Sequence, residues 1–307
     1  MEILVVGSLN IDFRINVQHL VAEGETELAD QLDLIPGGKG ANQAFAAGRL
    51  GNHTVMLGAL GGDSYGTLLA ESLKSAGVDT THLAIRKQTS TGIAIVQVDK
   101  RGNNSIIVIP GANATVDTAY IDEHLEVLRR CDIVLLQMEI PLHTVLYVAK
   151  LAKQLGKLVI LDPAPAPKSM PPEIYQYIDF IKPNETELRM LTGEQDLEKG
   201  MRILLSYGVK GVVVTVGRDG AKVLQQPDGP IATYPTPDVP IVDTTAAGDS
   251  FSAAFATALA QGKDIGEAIR YANIVGAIVV SRSGAQTSIP TKEEVDRFSS
   301  GLASEYQ

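Results

Sequence analysis

The segment Asp243-Thr244-Thr245-Ala246-Ala247-Gly248-Asp249-Ser250-Phe251 sets two carboxylates around residues with almost no side chain. Phe251, Phe255 and Leu259 follow at intervals of four, the repeat of one buried helix face. The segment reads as a loop entering a helix, where small residues let backbone N–H groups approach a ligand. Unpaired N–H groups and the positive end of the helix dipole favour an anion at that point. Asp249 adds a carboxylate beside the anion site. A phosphoryl-transfer enzyme can use that pairing to hold an acceptor hydroxyl against a phosphate. The plainer role for Asp249 is to complement the helix dipole.

Two further motifs carry polar groups beside glycine. In Gly37-Gly38-Lys39-Gly40-Ala41-Asn42, glycine permits positive φ and close backbone approach. Lys39 and Asn42 offer donors suited to hydroxyls. The spacing of a Walker A loop is absent from the chain. The same residues would also serve as a glycine-rich turn ahead of a helix. In Gly7-Ser8-Leu9-Asn10-Ile11-Asp12, Asn10 and Asp12 lie just beyond a first apolar strand. Binding crevices lie at strand carboxyl ends, so both can meet a ligand, although an Asx turn accounts for them equally.

These motifs need a scaffold, and the apolar pattern supplies one. Strand-like runs at 1–7, 54–57, 133–138, 158–161, 180–182 and 211–216 alternate with helical runs at 40–50, 68–76, 142–155, 185–191, 197–207 and 247–261. A final long helix is expected at 265–281. Continuous apolar strands between helices predict a parallel sheet covered on both faces, in one α/β unit over 1–307. Two segments break the rhythm. Residues 14–34 are polar and extended. Residues 91–109 alternate with period two around Gly102-Asn103-Asn104, a turn. A small antiparallel sheet, drawn from about 13–36 and 89–109, is expected to stand off the body as a lid or dimer contact.

Bulk composition excludes several classes. Of 307 residues, 26 are Lys or Arg and 36 are Asp or Glu, a net charge of −10 that argues against nucleic-acid or anionic-membrane binding. Cys131 is the one cysteine, which excludes an internal disulfide framework, and its place before an apolar run predicts a buried inert thiol. There is no basic leader with a long apolar run and no stretch near the ~18 residues of a membrane span, so a cytoplasmic protein is expected.

Taken together, the three motifs resemble the ribokinase family of carbohydrate kinases, in the family's order and over nearly the whole chain. Pro183-Asn184-Glu185-Thr186-Glu187, Thr215-Val216-Gly217-Arg218-Asp219-Gly220 and Ser281-Arg282-Ser283-Gly284-Ala285-Gln286 add to the likeness. The resemblance implies a three-layer α/β/α sandwich with a mostly parallel sheet and a β lid. It implies ATP-dependent phosphorylation of a sugar, with D-ribose at O5 the leading substrate. Asp249 is then the base, and the N–H groups of Ala246, Ala247, Gly248 and Asp249 hold the developing charge. Sugar contacts fall on Asn10, Asp12, Gly38, Lys39, Gly40, Ala41, Asn42, Glu139 and Asp249. ATP contacts fall on Asn184, Thr215, Val216, Gly217, Arg218, Asp219, Gly220, Gly248, Asp249 and Asn273.

The resemblance also implies two ions. Asn184 and Glu187 form the NxxE pair that acts on Mg²⁺ through water, although the same residues suit a helix capping box. A monovalent cation, usually K⁺, falls to Asp243, Thr245, Val279, Arg282, Gly284 and Ser288, mostly through carbonyl oxygens. Ser250 stands where Thr is frequent, and Ser283 where a basic residue is common. The inserted strand segment, as a dimer contact, further predicts a homodimer through the lid. Other acceptors, namely deoxyribose, fructose or a nucleoside, remain open. A nucleoside is disfavoured because 91–109 has no aromatic residue. A catalytically silent sugar-binding regulator on the same fold is the reading from another class. A dinucleotide-dependent oxidoreductase is rejected, since no GxGxxG follows the first strand.

Overall fold

The computed structural model describes residues 1–101 and 103–305, so Gly102 of the expected turn lies outside the described residues. The first part of the chain forms β1 (Glu2–Val6), β2 (Asn10–Asn16), β3 (Leu32–Gly37), α1 (Lys39–Arg49), β4 (His53–Leu57), β5 (Ala59–Gly61), α2 (Ser64–Ser75), β6 (Val78–Asp79), β7 (Ala84–Arg86), β8 (Gly92–Val98) and β9 (Asn104–Ile109). The middle forms α3 (Thr118–Glu123), α4 (Leu125–Arg130), β10 (Ile133–Leu136), α5 (Leu142–Gln154), β11 (Leu158–Leu161), β12 (Phe180–Ile181), α6 (Glu185–Thr192) and α7 (Leu197–Ser206). The last part forms β13 (Gly211–Thr215), β14 (Ala221–Leu224), β15 (Ala232–Tyr234), α8 (Ala247–Ala260), α9 (Ile265–Val280) and α10 (Lys292–Glu305).

Among the described residues, the main sheet has nine strands in the order β15-β14-β13-β12-β11-β10-β1-β4-β6. Pairings from β6 across to β13 are parallel, and β14 and β15 add an antiparallel edge. Both faces are covered. Ile3 and Val5 point into a core shared with α1, α8 and α9, while Leu4 and Val6 point into a core with α5 and α7. A strand buried on both sides loses the polar half of its alternation, which is why these strands read as unbroken apolar runs. The result is an α/β/α sandwich.

The sheet aligns a glycine and three polar residues in one row. Val6 registers with Leu136, Leu136 with Leu161, and Leu161 with Ile181. The next residues along these strands are Gly7, Gln137, Asp162 and Lys182, so all four emerge together at the carboxyl edge. Ala-rich α8, almost wholly buried, packs against α1 and α9 and brings its N-terminus to the same edge.

A second sheet has the order β3-β2-β8-β9. Its outer pairs are antiparallel, and its central β2–β8 pair is parallel. Phe13 of β2 meets Tyr65 of α2 edge-on at 5.5 Å, which seats this sheet on the body. Strand β9 is exposed along its whole length, with Ile106, Ile107, Val108 and Ile109 open on both faces. Leu32 and Leu34 of β3 are also exposed.

Several parts depart from the expected elements, among them α3 and α4 and the short strands β5, β6 and β7, which were not expected. The helix ending at Val280 is not the last, because α10 follows; it buries few apolar groups, chiefly Val295 with Phe298 beside it, too few for a periodic signal. Helix α2 starts four residues early, at Ser64, because the Asp63 side chain accepts from Gly66 N–H and caps it. The antiparallel edge β14–β15 is too short to announce itself. Cys131 is buried, and desolvation pushes its thiol up to about 12. No helix among the described residues is long and apolar enough to cross a membrane.

Candidate active site

Helix α8 opens with an unusual backbone. Ala246 sits at its N-cap with φ of 61°, and among the described residues it is the one non-glycine in that region. A side chain there costs about 1–2 kcal/mol, so the surrounding structure must enforce it. The turn aims orphan donors outward. Among the described residues, the N–H groups of Ala246, Gly248 and Asp249 meet no protein acceptor, whereas Ala247 N–H donates to Thr244 O at 3.2 Å. The anion site thus has three open donors of the four expected, and Ala247 drops out because the preceding turn closes on it.

Asp249 projects from this first turn and is 7 % exposed. Asn42 Nδ2 donates to its Oδ2 at 2.9 Å, and Gln43 Nε2 to its Oδ1 at 3.3 Å. Burial raises the Asp249 pKa, with Lys39 opposing. Lys39 is itself held above the ordinary lysine range: burial works against its charge, but Asp249, Asp162, Glu139 and Glu187 together outweigh it. Asp12 is pushed up to about 7, by burial first and then by Glu139 and Asp249. A buried lysine among carboxylates with raised pKa values, at the strand ends, marks a candidate functional site.

The glycine motif creates this convergence. Gly38 has φ of 88°, and a Cβ there would fall 2.7 Å from Asn10 N. A Cβ on Gly40 would fall 2.6 Å from Gly7 C and Ser8 N. Helix α1 therefore enters against the turn after β1, which places Lys39 and Asn42 over the strand ends. Lys39 N–H and Ser8 Oγ both donate to Glu139 Oε2. Gly40 N–H donates to Ser8 Oγ and Ala41 N–H to Ser8 O. Ala41 turns its methyl into the core, so it offers a ligand no group of its own. Asn10 is buried, and its Oδ1 accepts from Asn113 Nδ2 at 2.8 Å.

A cleft of about 580 Å³ runs outward from the α8 N-terminus. Asn184, Thr215, Gly217, Arg218, Gly220, Gly248 and Asn273 line it; Val216, Asp219 and Asp249 do not. Val216 is buried in the core instead. Asn273 uses Nδ2 on the carbonyls of Tyr234 and Pro235, so only its Oδ1 remains for a ligand. Asn184 and Glu187 form a reciprocal capping box at the start of α6. Burial first, then nearby Asp162, raises the Glu187 pKa.

Asp243 ties the loop before α8 to the segment after α9. Its Oδ1 accepts from Thr245 N and Oγ1 at 2.9 and 2.6 Å, and its Oδ2 from Gly284 N at 3.1 Å. Arg14 of β2 reaches the same Oδ2 at 3.2 Å. Burial opposes the Asp243 charge, but these hydrogen bonds outweigh it and lower its pKa. Val279 O accepts from Arg282 N–H, and buried Ser288 donates its hydroxyl to Ala285 O. The Arg282 side chain pairs with Glu294 at 2.9 Å while about one-third of it stays exposed.

Four residues here escaped the motif reading: Gln43, Gln137, Asp162 and Lys182. Gln43 Nε2 reaches both Asp249 and Asp162, and Gln137 Nε2 donates to Gln43 Oε1 at 2.7 Å. Lys182 Nζ lies 2.9 Å from Asp162 Oδ2. Three of the four stand one residue past β10, β11 and β12, at the carboxyl edge where binding crevices lie; the expected strands ran over Gln137 and Lys182, so only Asp162 stood out as a strand-end residue.

Known proteins resemble this chain in sequence and fold. The model of the pfkB family carbohydrate kinases matches residues 1–292. The chain is 38 % identical to the ribokinase of Haemophilus influenzae over 299 residues, 96 % of this chain and 97 % of that one. It resembles the crystal structure of Thermotoga maritima ribokinase with a TM-score of 0.88 and 41 % identity, over 97 % of this chain and 99 % of the other. Arabidopsis thaliana ribokinase, solved with ribose and ATP, gives 0.89 and 37 % over 96 % and 97 %. The chain belongs to the pfkB family of carbohydrate kinases.

Proposed function

We propose that this protein transfers the γ-phosphoryl group of ATP to O5 of D-ribose, giving D-ribose 5-phosphate and ADP. The observation that carries the proposal is the meeting of Asp249 with open backbone donors on one side and Asn42, Lys39, Asp12 and Glu139 on the other. The O5 proton passes to Asp249 as O5 bonds to the γ-phosphorus and the bond to the β-phosphate oxygen breaks. An alcohol is a weak acid, so Asp249 first orients the hydroxyl and takes the proton late. The N–H groups of Gly248 and Asp249 hold charge that builds on the phosphoryl oxygens. Asp12, Lys39 and Glu139 supply the acceptors and donors that a polyol needs, with Asn10 and Gly38 shaping the pocket floor. The 580 Å³ cleft is the nucleotide's place.

Asn42 holds the base as well as the sugar, since its Nδ2 is already on Asp249. Asn184 and Glu187 would hold Mg²⁺ through water, with Glu187 the carboxylate of the pair, its pKa raised by burial first and then by Asp162. The ion would neutralise phosphate charge. The donors near Asp243 are carboxylate, carbonyl and hydroxyl oxygens, which suit a hard cation. K⁺ held there would brace the turn that carries Ala246. The chain acts as one catalytic unit over 1–307, with a lid from about 13–36 and 89–109. Its exposed β9 edge suits a second copy of the chain, giving a homodimer in the cytoplasm.

A coupled ADP-release assay across ribose, deoxyribose, fructose and adenosine, with and without K⁺, tests the proposal. Ribose should give the highest kcat/KM. No turnover on any of the sugars removes the kinase reading, and preference for deoxyribose moves the substrate while leaving the chemistry.

A further inference from the structure

With the phosphoryl-transfer reading as premise, we propose that Lys182 is a positioning residue that sets the peptide bearing one of the open anion-site donors. Lys182 Nζ donates to Gly248 O at 3.2 Å. Gly248 C=O and Asp249 N–H belong to the same peptide unit. An ammonium on the carbonyl fixes that plane and polarises the N–H at its other end, as hydrogen bonds in series strengthen one another.

The location of Lys182 favours this role over helix support. A cation at a helix N-terminus opposes the dipole, so α8 gains nothing from it. It adds instead to a field that attracts anions. Lys182 is 4 % exposed, and a Cβ on Gly248 would lie 3.3 Å from its Nζ, so it stands directly under the turn. Two of its three protons are taken, by Asp162 and by Gly248 O. Asp162 is equally buried. Its Oδ2 also accepts from Ser252 Oγ at 3.1 Å and Gln43 Nε2 at 3.1 Å, and its Oδ1 has no partner among the described residues. Gln43 continues to Asp249 Oδ1. The pair thus reaches the donor peptide through Lys182 and the base through Gln43.

The alternative is that Lys182 merely neutralises Asp162. Lys182→Met and the double variant Lys182→Met/Asp162→Asn separate the two. The double variant leaves no unpaired buried charge, so a counter-ion role predicts that it recovers. A positioning role predicts that both variants keep ADP and ribose Kd within about twofold by calorimetry while kcat falls about 10- to 100-fold, less than the ~10²–10³ of a donor that touches the oxyanion itself. Affinity for ADP with aluminium fluoride and sugar, a mimic of the transferring phosphoryl group, should fall in step with kcat. A double variant with kcat within about threefold of an active parent overturns this proposal alone, as does a loss confined to KM. An inactive parent overturns it together with the kinase reading.

Discussion

Gly40→Ala tests how closely α1 must approach the turn after β1. The added methyl would lie 2.6 Å from Gly7 C and Ser8 N and 2.7 Å from Ser8 O, where ordinary contact begins at 3.4 Å. All three are backbone atoms, and β1 is paired on both sides, so the turn cannot retreat. Helix α1 must therefore move by about 0.8 Å, the difference between 3.4 and 2.6 Å. That overpacking costs about 1–3 kcal/mol of stability. A shift of that size along the Asn42–Asp249 line stretches the 2.9 Å bond from Asn42 toward 3.7 Å, where it no longer counts as a hydrogen bond. A displacement near 1 Å at a reacting centre lowers rate by ~10²-fold. Thermal melting and steady-state kinetics on ribose read both effects. A variant with unchanged Tm and kcat/KM within about threefold of the parent would refute the close-approach reasoning.

Three further outcomes follow from particular residues. Asp12 binds its proton more tightly folded than unfolded, since its pKa stands near 7 against 3.8. The apo protein should therefore lose stability as pH rises from 4 to 7, by at most about 4 kcal/mol, and Asp12→Asn should flatten that slope in a pH series of melts. Ile107→Lys places a charge on the exposed β9 edge. Light scattering should show the parent at twice the chain mass and the variant at once the mass with kcat retained; a monomeric parent rejects the lid dimer. Arg14→Leu frees Asp243 Oδ2 from a competing cation, so added KCl should raise its Tm more than the parent's, and an equal shift separates Arg14 from the cation loop.

Parts of the site that depend on local chain geometry were legible in the sequence. Gly38 and Gly40 announce a close approach, and the small residues before Phe251 announce an exposed helix start. Strands such as Leu158–Leu161 are legible because burial on both faces leaves them wholly apolar. What depends on distant partners was not. Gln43 meets Gln137 and Asp162 across 94 and 119 residues of chain, and each looks ordinary in its own segment. Whether a donor is open or already taken is equally hidden: Ala247 N–H is closed by Thr244 O, and the Asn273 amide is spent on backbone carbonyls. Helix α10 passed unseen because its few apolar residues make no stripe.

The central claim is that Asp249 takes the proton of the acceptor hydroxyl at the N-terminus of α8. Single-turnover transfer from ATP to ribose, parent against Asp249→Asn, measures it most directly. Asn keeps the shape, so ribose should bind within a few-fold of the parent while transfer slows by ~10²–10⁴, the contribution of a positioned proton acceptor. Transfer in the variant within about tenfold of the parent, with ribose bound normally, would contradict the claim.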